Sequence, residues 1–309
     1  MIVGHETVFK WFSHSHRHNR LGHGYLFVGP QHIGKATVAR ELARRVLCQK
    51  GDLGRDSCKQ CPSCLGATDD LLEISAGLDA HADTSTKKLP EIGIALARSV
   101  RRFLALSSLS GSQRVVIVDD GERLTNEAAN MLLKTLEEPP RGALILMVCH
   151  EPAKLPETVQ SRLTTIPVNP VPSKLIEAAL VQEGAGVREA RELSGLAAGR
   201  VGLALKWWRS RNLDPLRAAF ETLNAPTFVK RHRRLAAIFE GRPEEIRAFM
   251  DTLVIALRTT LLESIEGAPA NLSLRLASQM GAVDTLRERL RDSALNTKLA
   301  ADTLALVLS

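Results

Sequence analysis

Gly24-Tyr25-Leu26-Phe27-Val28-Gly29-Pro30-Gln31-His32-Ile33-Gly34-Lys35-Ala36 is the stretch that decides the fold. Residues 24–28 are a short apolar run that closes on Gly29, the pattern of a strand buried in a parallel sheet. Gly29 opens Gly-x4-Gly-Lys, in which backbone N–H groups and the lysine cradle phosphates and a hydroxyl one position later holds Mg²⁺. Here that position is Ala36, which has no oxygen for a metal. Val38, Ala39, Leu42, Ala43, Val46 and Leu47 then fall on one helical face. Strand, loop and helix therefore follow in the order the motif requires. Thr37 cannot replace the missing hydroxyl, because one step along a helix turns the side chain by ~100°.

Downstream, Val115-Val116-Ile117-Val118-Asp119-Asp120 has the form of the second strand of such a site. Asp119 fits the carboxylate that supports Mg²⁺. Where many ATPases place a glutamate to activate water, Asp120 is a methylene shorter and falls short of the ~2.6–3.2 Å reach of a general base. The alternative is that both acids simply end a strand and polarise a loop. Thr125 reads as an N-cap, Leu132, Leu133 and Leu136 as an apolar helix face, and Pro139-Pro140 as its stop. Ala143-Leu144-Ile145-Leu146-Met147-Val148-Cys149 is a further buried strand. The alternation of strands and helices predicts an α/β fold with a parallel sheet.

Cys48, Cys58, Cys61 and Cys64 are spaced Cys-x9-Cys-x2-Cys-x2-Cys. Four thiolates suit a closed tetrahedral zinc site with no open position, hence a structural one. An iron–sulfur cluster or a redox pair are the alternatives. Cys149, in an apolar strand, reads as a small buried hydrophobe.

The composition, 44% hydrophobic and 24% charged over 309 residues, is that of a globular protein with room for two or three domains. No apolar run reaches the ~20 residues of a membrane span. Residues 1–6 carry no signal-peptide pattern, so a cytoplasmic protein is expected. The net charge of +7 permits contact with nucleic acid, while 4% aromatic residues argue against a base-stacking platform. His14, His16 and His18 alternate and so point to different helix faces. Lys230-Arg231-His232-Arg233-Arg234 reads as a solvated helix face.

Asn130-Met131-Leu132-Leu133-Lys134-Thr135-Leu136-Glu137-Glu138-Pro139-Pro140 resembles the signature of bacterial clamp-loader subunits, which are AAA+ proteins. Leu155-Pro156-Glu157-Thr158-Val159-Gln160-Ser161-Arg162 is similar to the segment carrying their Ser-Arg-Cys motif. The cysteine module has the family's placement, one residue longer in its first gap. The resemblance covers about residues 4 to 210.

It implies an AAA+ parallel-sheet domain over residues 1–169 with a zinc module at 48–64. A helical lid at 170–210 and an all-α collar at 211–309, through which five subunits form a ring, would follow. It implies gamma/tau and delta subunits as partners, with the sliding clamp and primed DNA reached through the complex.

The active ATPases of the family carry Gly-Lys-Thr, an Asp-Glu pair, Ser-Arg-Cys and a lid arginine. This chain has Ala36, Asp120, Leu163 and Gly202 at those places, and Val148-Cys149-His150 without their threonine pair. The resemblance is thus to a subunit with a degenerate ATP site, in which Gly29, Gly34, Lys35 and Asp119 remain and ATP or ADP binding stays open. It implies that Arg162 is an arginine finger, supplied in trans to a neighbour's ATP. An active gamma/tau-type ATPase is the alternative. Without the resemblance, Arg162 reads as a residue capping a surface helix.

Overall fold

A computed structural model describes residues 2–18, 20–50, 57–66, 68–76, 91–106, 113–211, 214–241, 243–265, 270–290 and 297–308. In chain order the first elements are α1 (Glu6–Arg17), β1 (Gly24–Val28), α2 (Lys35–Leu47), β2 (Leu71–Ile74), α3 (Ile94–Ala105) and β3 (Arg114–Val118). Then come α4 (Asn126–Glu137), β4 (Ala143–Cys149), α5 (Glu157–Gln160) and β5 (Thr164–Pro167). The remaining elements are α6 (Ser173–Gln182), α7 (Val187–Leu196), α8 (Val201–Ser210), α9 (Asp214–Leu223), α10 (Phe228–Phe239), α11 (Pro243–Ile265), α12 (Ala270–Arg289) and α13 (Thr297–Val307).

The strands form one five-stranded parallel sheet in the order β2-β3-β4-β1-β5. Side chains alternate across each strand, so both sheet faces are apolar. Tyr25, Phe27, Val115, Ile117, Leu144 and Leu146 pack with Phe12 of α1 and with Val38 and Leu42 of α2. Leu26, Val116, Val118, Ile145 and Met147 face the other way, onto Val100 of α3 and Ala128, Leu132 and Leu136 of α4. Burial on two faces is why β1, β3 and β4 read as unbroken apolar runs. Each large buried side chain contributes roughly 1.5–3 kcal/mol. The expected N-cap is made: Thr125 Oγ1 accepts from Ala128 N at 3.2 Å.

Gly24 is set by packing rather than conformation. A Cβ there would lie 2.6 Å from Leu163 Cδ2, which is buried against Leu136 on the same side. Gly24→Val should therefore cost about 1–3 kcal/mol by overpacking. A denaturant titration checks this; an unchanged midpoint would mean that Leu163 swings aside freely.

The chain divides into two compact units. One comprises the described residues up to Leu175 together with Gly199–Gly202. The other comprises Ile176–Ala198 and the described residues from Leu203 on. The second unit is helical throughout its described residues, and Leu235, Phe249, Leu253, Leu257, Val283 and Leu304 are central to its core. No described helix is long and apolar enough to cross a membrane.

The basic stretch on α10 is only partly solvated. Arg231 donates to Thr222 O and Ala225 O at 3.3 and 3.1 Å, and His232 meets Asp302 at 2.7 Å. His14, His16 and His18 are all exposed, and the His14 and His18 rings, one turn apart, lie 4.2 Å from each other.

Candidate functional site

In a parallel sheet the carboxyl ends of the strands share one edge, where ligand sites form. β1 delivers the loop Gly29–Gly34 to that edge, β3 delivers Asp119 and Asp120, and β4 delivers His150. Gly29 lies so close to Val168 that a Cβ would sit 2.4 Å from its carbonyl oxygen. Gly34 caps α2 with φ 107°, a conformation that favours glycine. His5 Nε2 lies 3.1 Å from Ile33 O and so supports the loop from α1.

Lys35 is buried, and its Nζ donates to Gly29 O and Pro30 O, both at 2.8 Å. Burial lowers its pKa, against the opposing pull of the Glu122 and Asp119 carboxylates. Thr37 is exposed on α2, consistent with its exclusion as a metal ligand.

The backbone of residue 202 also touches the loop. Gly202 N donates to His32 O at 2.8 Å, and a Cβ at 202 would stand 2.9 Å from that oxygen. The position read from sequence as lacking an arginine is thus one that has no space for a side chain.

At the end of β3, Asp119 accepts from Asp120 N at 3.0 Å and faces Arg40 at 3.7 Å. Burial, and next the charge of Asp120, raise the Asp119 pKa. Arg40 is itself held by a forked contact with Glu73 of β2. Asp120 has φ 58° and turns the chain into the short helical turn Gly121–Arg123. Its carboxylate stays on this edge, with a donor atom within 4.8 Å of those of Glu122 and His150.

That turn carries a residue missed by sequence reasoning. The Glu122 side chain is only 4% exposed and lies 2.7 Å from His150 Nδ1, while His150 N donates to it at 3.3 Å. Asp120, Glu122 and His150 bring donor atoms within 4.8 Å. Two tetrahedral ligands each ~2.1 Å from one ion stand ~3.4 Å apart, so the 2.7 Å Glu122–His150 contact is a direct pairing rather than the spacing of two ligands on one ion. Burial pushes the Glu122 pKa up, but the His150 hydrogen bond and charge outweigh it and hold it down at about 2.

A carboxylate depressed from 4.5 stabilises the fold fully above about pH 4.5, and this contribution is lost as pH falls towards 2. The loss should be about 3 kcal/mol. Glu122→Gln should remove that part of the acid slope in denaturation measured from pH 5 to 2; parallel slopes for both proteins would refute the assignment.

The four cysteines converge. The sulfurs of Cys48, Cys58, Cys61 and Cys64 all lie within 4.8 Å of one another, and Cys58 and Cys64 are 3.7 Å apart. A tetrahedron of sulfurs ~2.3 Å from zinc has edges of ~3.8 Å, so the set fits that ion. A backbone bond from Gln60, and next the bond that Cys61 N donates to Cys58 Sγ at 3.3 Å, lower the Cys58 pKa to about 6. Burial pushes Cys64 up to about 12. Cys149 lies apart and is fully buried, as expected of an apolar strand position.

Arg162 sits at the opposite end of the sheet. It precedes β5, beside Gly24 at the start of β1, while the phosphate loop follows the end of β1. Five strand residues separate these ends by about 13 Å. Its guanidinium donates to Thr158 O at 2.8 Å, Ser161 Oγ at 3.3 Å and Glu137 Oε1 at 2.5 Å. The first of these is the helix-capping contact that the plain reading predicts. The side chain remains 34% exposed.

Residues 4–172 match the family described as DNA polymerase III, delta subunit. The chain belongs to that family. Within the delta-subunit family and its relatives, it is 29% identical over 191 residues to DNA polymerase III subunit delta' of Bacillus subtilis, covering 61% of this chain and 55% of that one. It is 29% identical over 161 residues to subunit tau of the same organism, covering 52% and 27%. The chain thus spans from about a quarter to just over half of the length of these relatives. A gamma subunit-related protein of Thermotoga maritima, known as a crystal structure, has a TM-score of 0.48 at 22% identity, with 98% of this chain and 97% of that one covered.

Proposed function

We propose that this chain is a delta-prime-type subunit of a bacterial clamp loader, acting in DNA replication to help place the sliding clamp on primed DNA. It works in a pentameric ring with gamma/tau and delta subunits, and ATP is hydrolysed on its neighbours. Residues 1–169 are the AAA+ domain, residues 170–210 its lid and residues 211–309 the collar through which the ring assembles in the cytoplasm.

The observation that carries this reading is the place of Arg162. A partly exposed guanidinium about a strand's length from its own phosphate loop suits a nucleotide held by another chain. A planar fork of N–H donors stabilises charge on a transferring phosphoryl group. The loop itself supports a scaffold role. Ala36 offers no metal ligand, the Asp120 carboxylate is a methylene shorter than that of a glutamate, and position 202 holds no side chain. The active gamma/tau-type alternative needs chemistry at those three places. Zinc, when bound, ties Cys48 after α2 to Cys58, Cys61 and Cys64 and supplies stability rather than catalysis.

The purified chain alone should turn over ATP at background rate and raise turnover when combined with gamma/tau and delta subunits, clamp and primed DNA. Robust hydrolysis by the isolated chain would sink the proposal.

A further inference from the structure

We propose that Glu137 is the positioning residue for Arg162, holding the guanidinium aimed outward from the module before it meets a neighbour's nucleotide. This rests on the reading of Arg162 as a finger used in trans. Thr158 and Ser161 belong to the finger's own turn, whereas Glu137, the last residue of α4, is the acceptor that comes from a different element.

Both ends of this contact are anchored by the core. Leu136, beside Glu137, is buried, and its carbonyl is met by His23 Nε2 at 2.9 Å. Leu163, beside Arg162, is buried too. The two leucines approach each other across Gly24, where a Cβ would lie 2.6 Å from Leu163 Cδ2 and 3.9 Å from Leu136 Cδ2. The carboxylate and the guanidinium are therefore each one residue from a fixed point.

A guanidinium has five N–H donors. Three are used by Thr158 O, Ser161 Oγ and Glu137 Oε1, so two remain for an incoming phosphate oxygen. Glu137 thus leaves the finger a free edge while restricting a long, rotamer-rich side chain. Restriction of this kind raises the fraction of encounters in reactive geometry.

The test is ATP turnover of the reconstituted complex containing Glu137→Gln, Arg162→Ala or both. Glu137→Gln should lower kcat about tenfold with KM for ATP unchanged, since the finger acts on the transition state. It should cause no further loss where residue 162 is already alanine. Wild-type kcat in Glu137→Gln, alongside a strong defect in Arg162→Ala, would overturn the positioning role and leave the finger intact. An equal loss from Glu137→Gln in both backgrounds would mark a merely structural effect and also overturn it. Wild-type turnover in Arg162→Ala would remove the finger and this proposal together. Glu137→Ala provides a second removal of the carboxylate, with thermal unfolding as the control that each variant is folded.

Discussion

Arg162→Ala should reduce ATP turnover of the reconstituted complex by about 10³-fold or more at the site it serves, the lower end of what arginine fingers contribute elsewhere. The stability of the chain should barely change. Arg162 and Glu137 are both partly exposed, and ion pairs of that kind are worth about 0–1 kcal/mol. Arg162→Lys should also be defective, because an ammonium keeps the charge but loses the planar fork. The loss should fall on kcat rather than KM, as for an interaction made in the transition state. Single-turnover kinetics of the complex, with the isolated chain's unfolding as control, separate these effects. Turnover equal to wild type in Arg162→Ala would remove the catalytic reading and leave only the helix-capping contact to Thr158.

Removing the thiols of Cys58 and Cys61 by double substitution to Ser should abolish stoichiometric zinc and loosen the 57–66 segment. Structural zinc in small modules has apparent binding energies of about 10–16 kcal/mol, and that energy is also folding energy. Cys48, Cys61 and Cys64 form the hydrophobic cluster of the described segment, with Cys58 packed alongside, and Ser57 Oγ adds a bond to Glu41 of α2 at 3.2 Å. Zinc binds thiolates, so binding displaces the thiol protons and acidification should release the metal. Metal analysis of the wild type and the variant, with hydrogen exchange over 57–66, reports both effects. Wild-type protein purified without zinc, and unaffected by added zinc, would refute the site.

The strands that read as unbroken apolar runs are those buried on both faces. β1, β3 and β4 show no polar interruption because helices cover each side of them. β2 escaped notice because it is a four-residue edge strand interrupted by Glu73, whose charge makes sense only beside Arg40 of α2. α3 was legible in principle, since Ala97, Val100 and Leu104 recur at helical spacing.

The site divides in the same way. Gly29, Gly34, Lys35, Asp119 and the four cysteines follow spacings set by local geometry, and the structure gathers each set. Glu122 and His150 lie 28 residues apart and pair only because β3 and β4 end side by side. Likewise Glu137 meets Arg162 across 25 positions. No local pattern encodes such contacts. The available signals were a carboxylate just after an apolar strand and a histidine just after another.

The contact between Gly202 and His32 bears on how far single substitutions can change this loop. Here the amide at 202 is committed to the His32 carbonyl, and any side chain would collide with it. Ala36→Thr would add a hydroxyl without touching this contact, whereas a side chain at 202 requires the backbone there to move first. The two positions therefore differ in kind: one can change alone, the other only together with its surroundings.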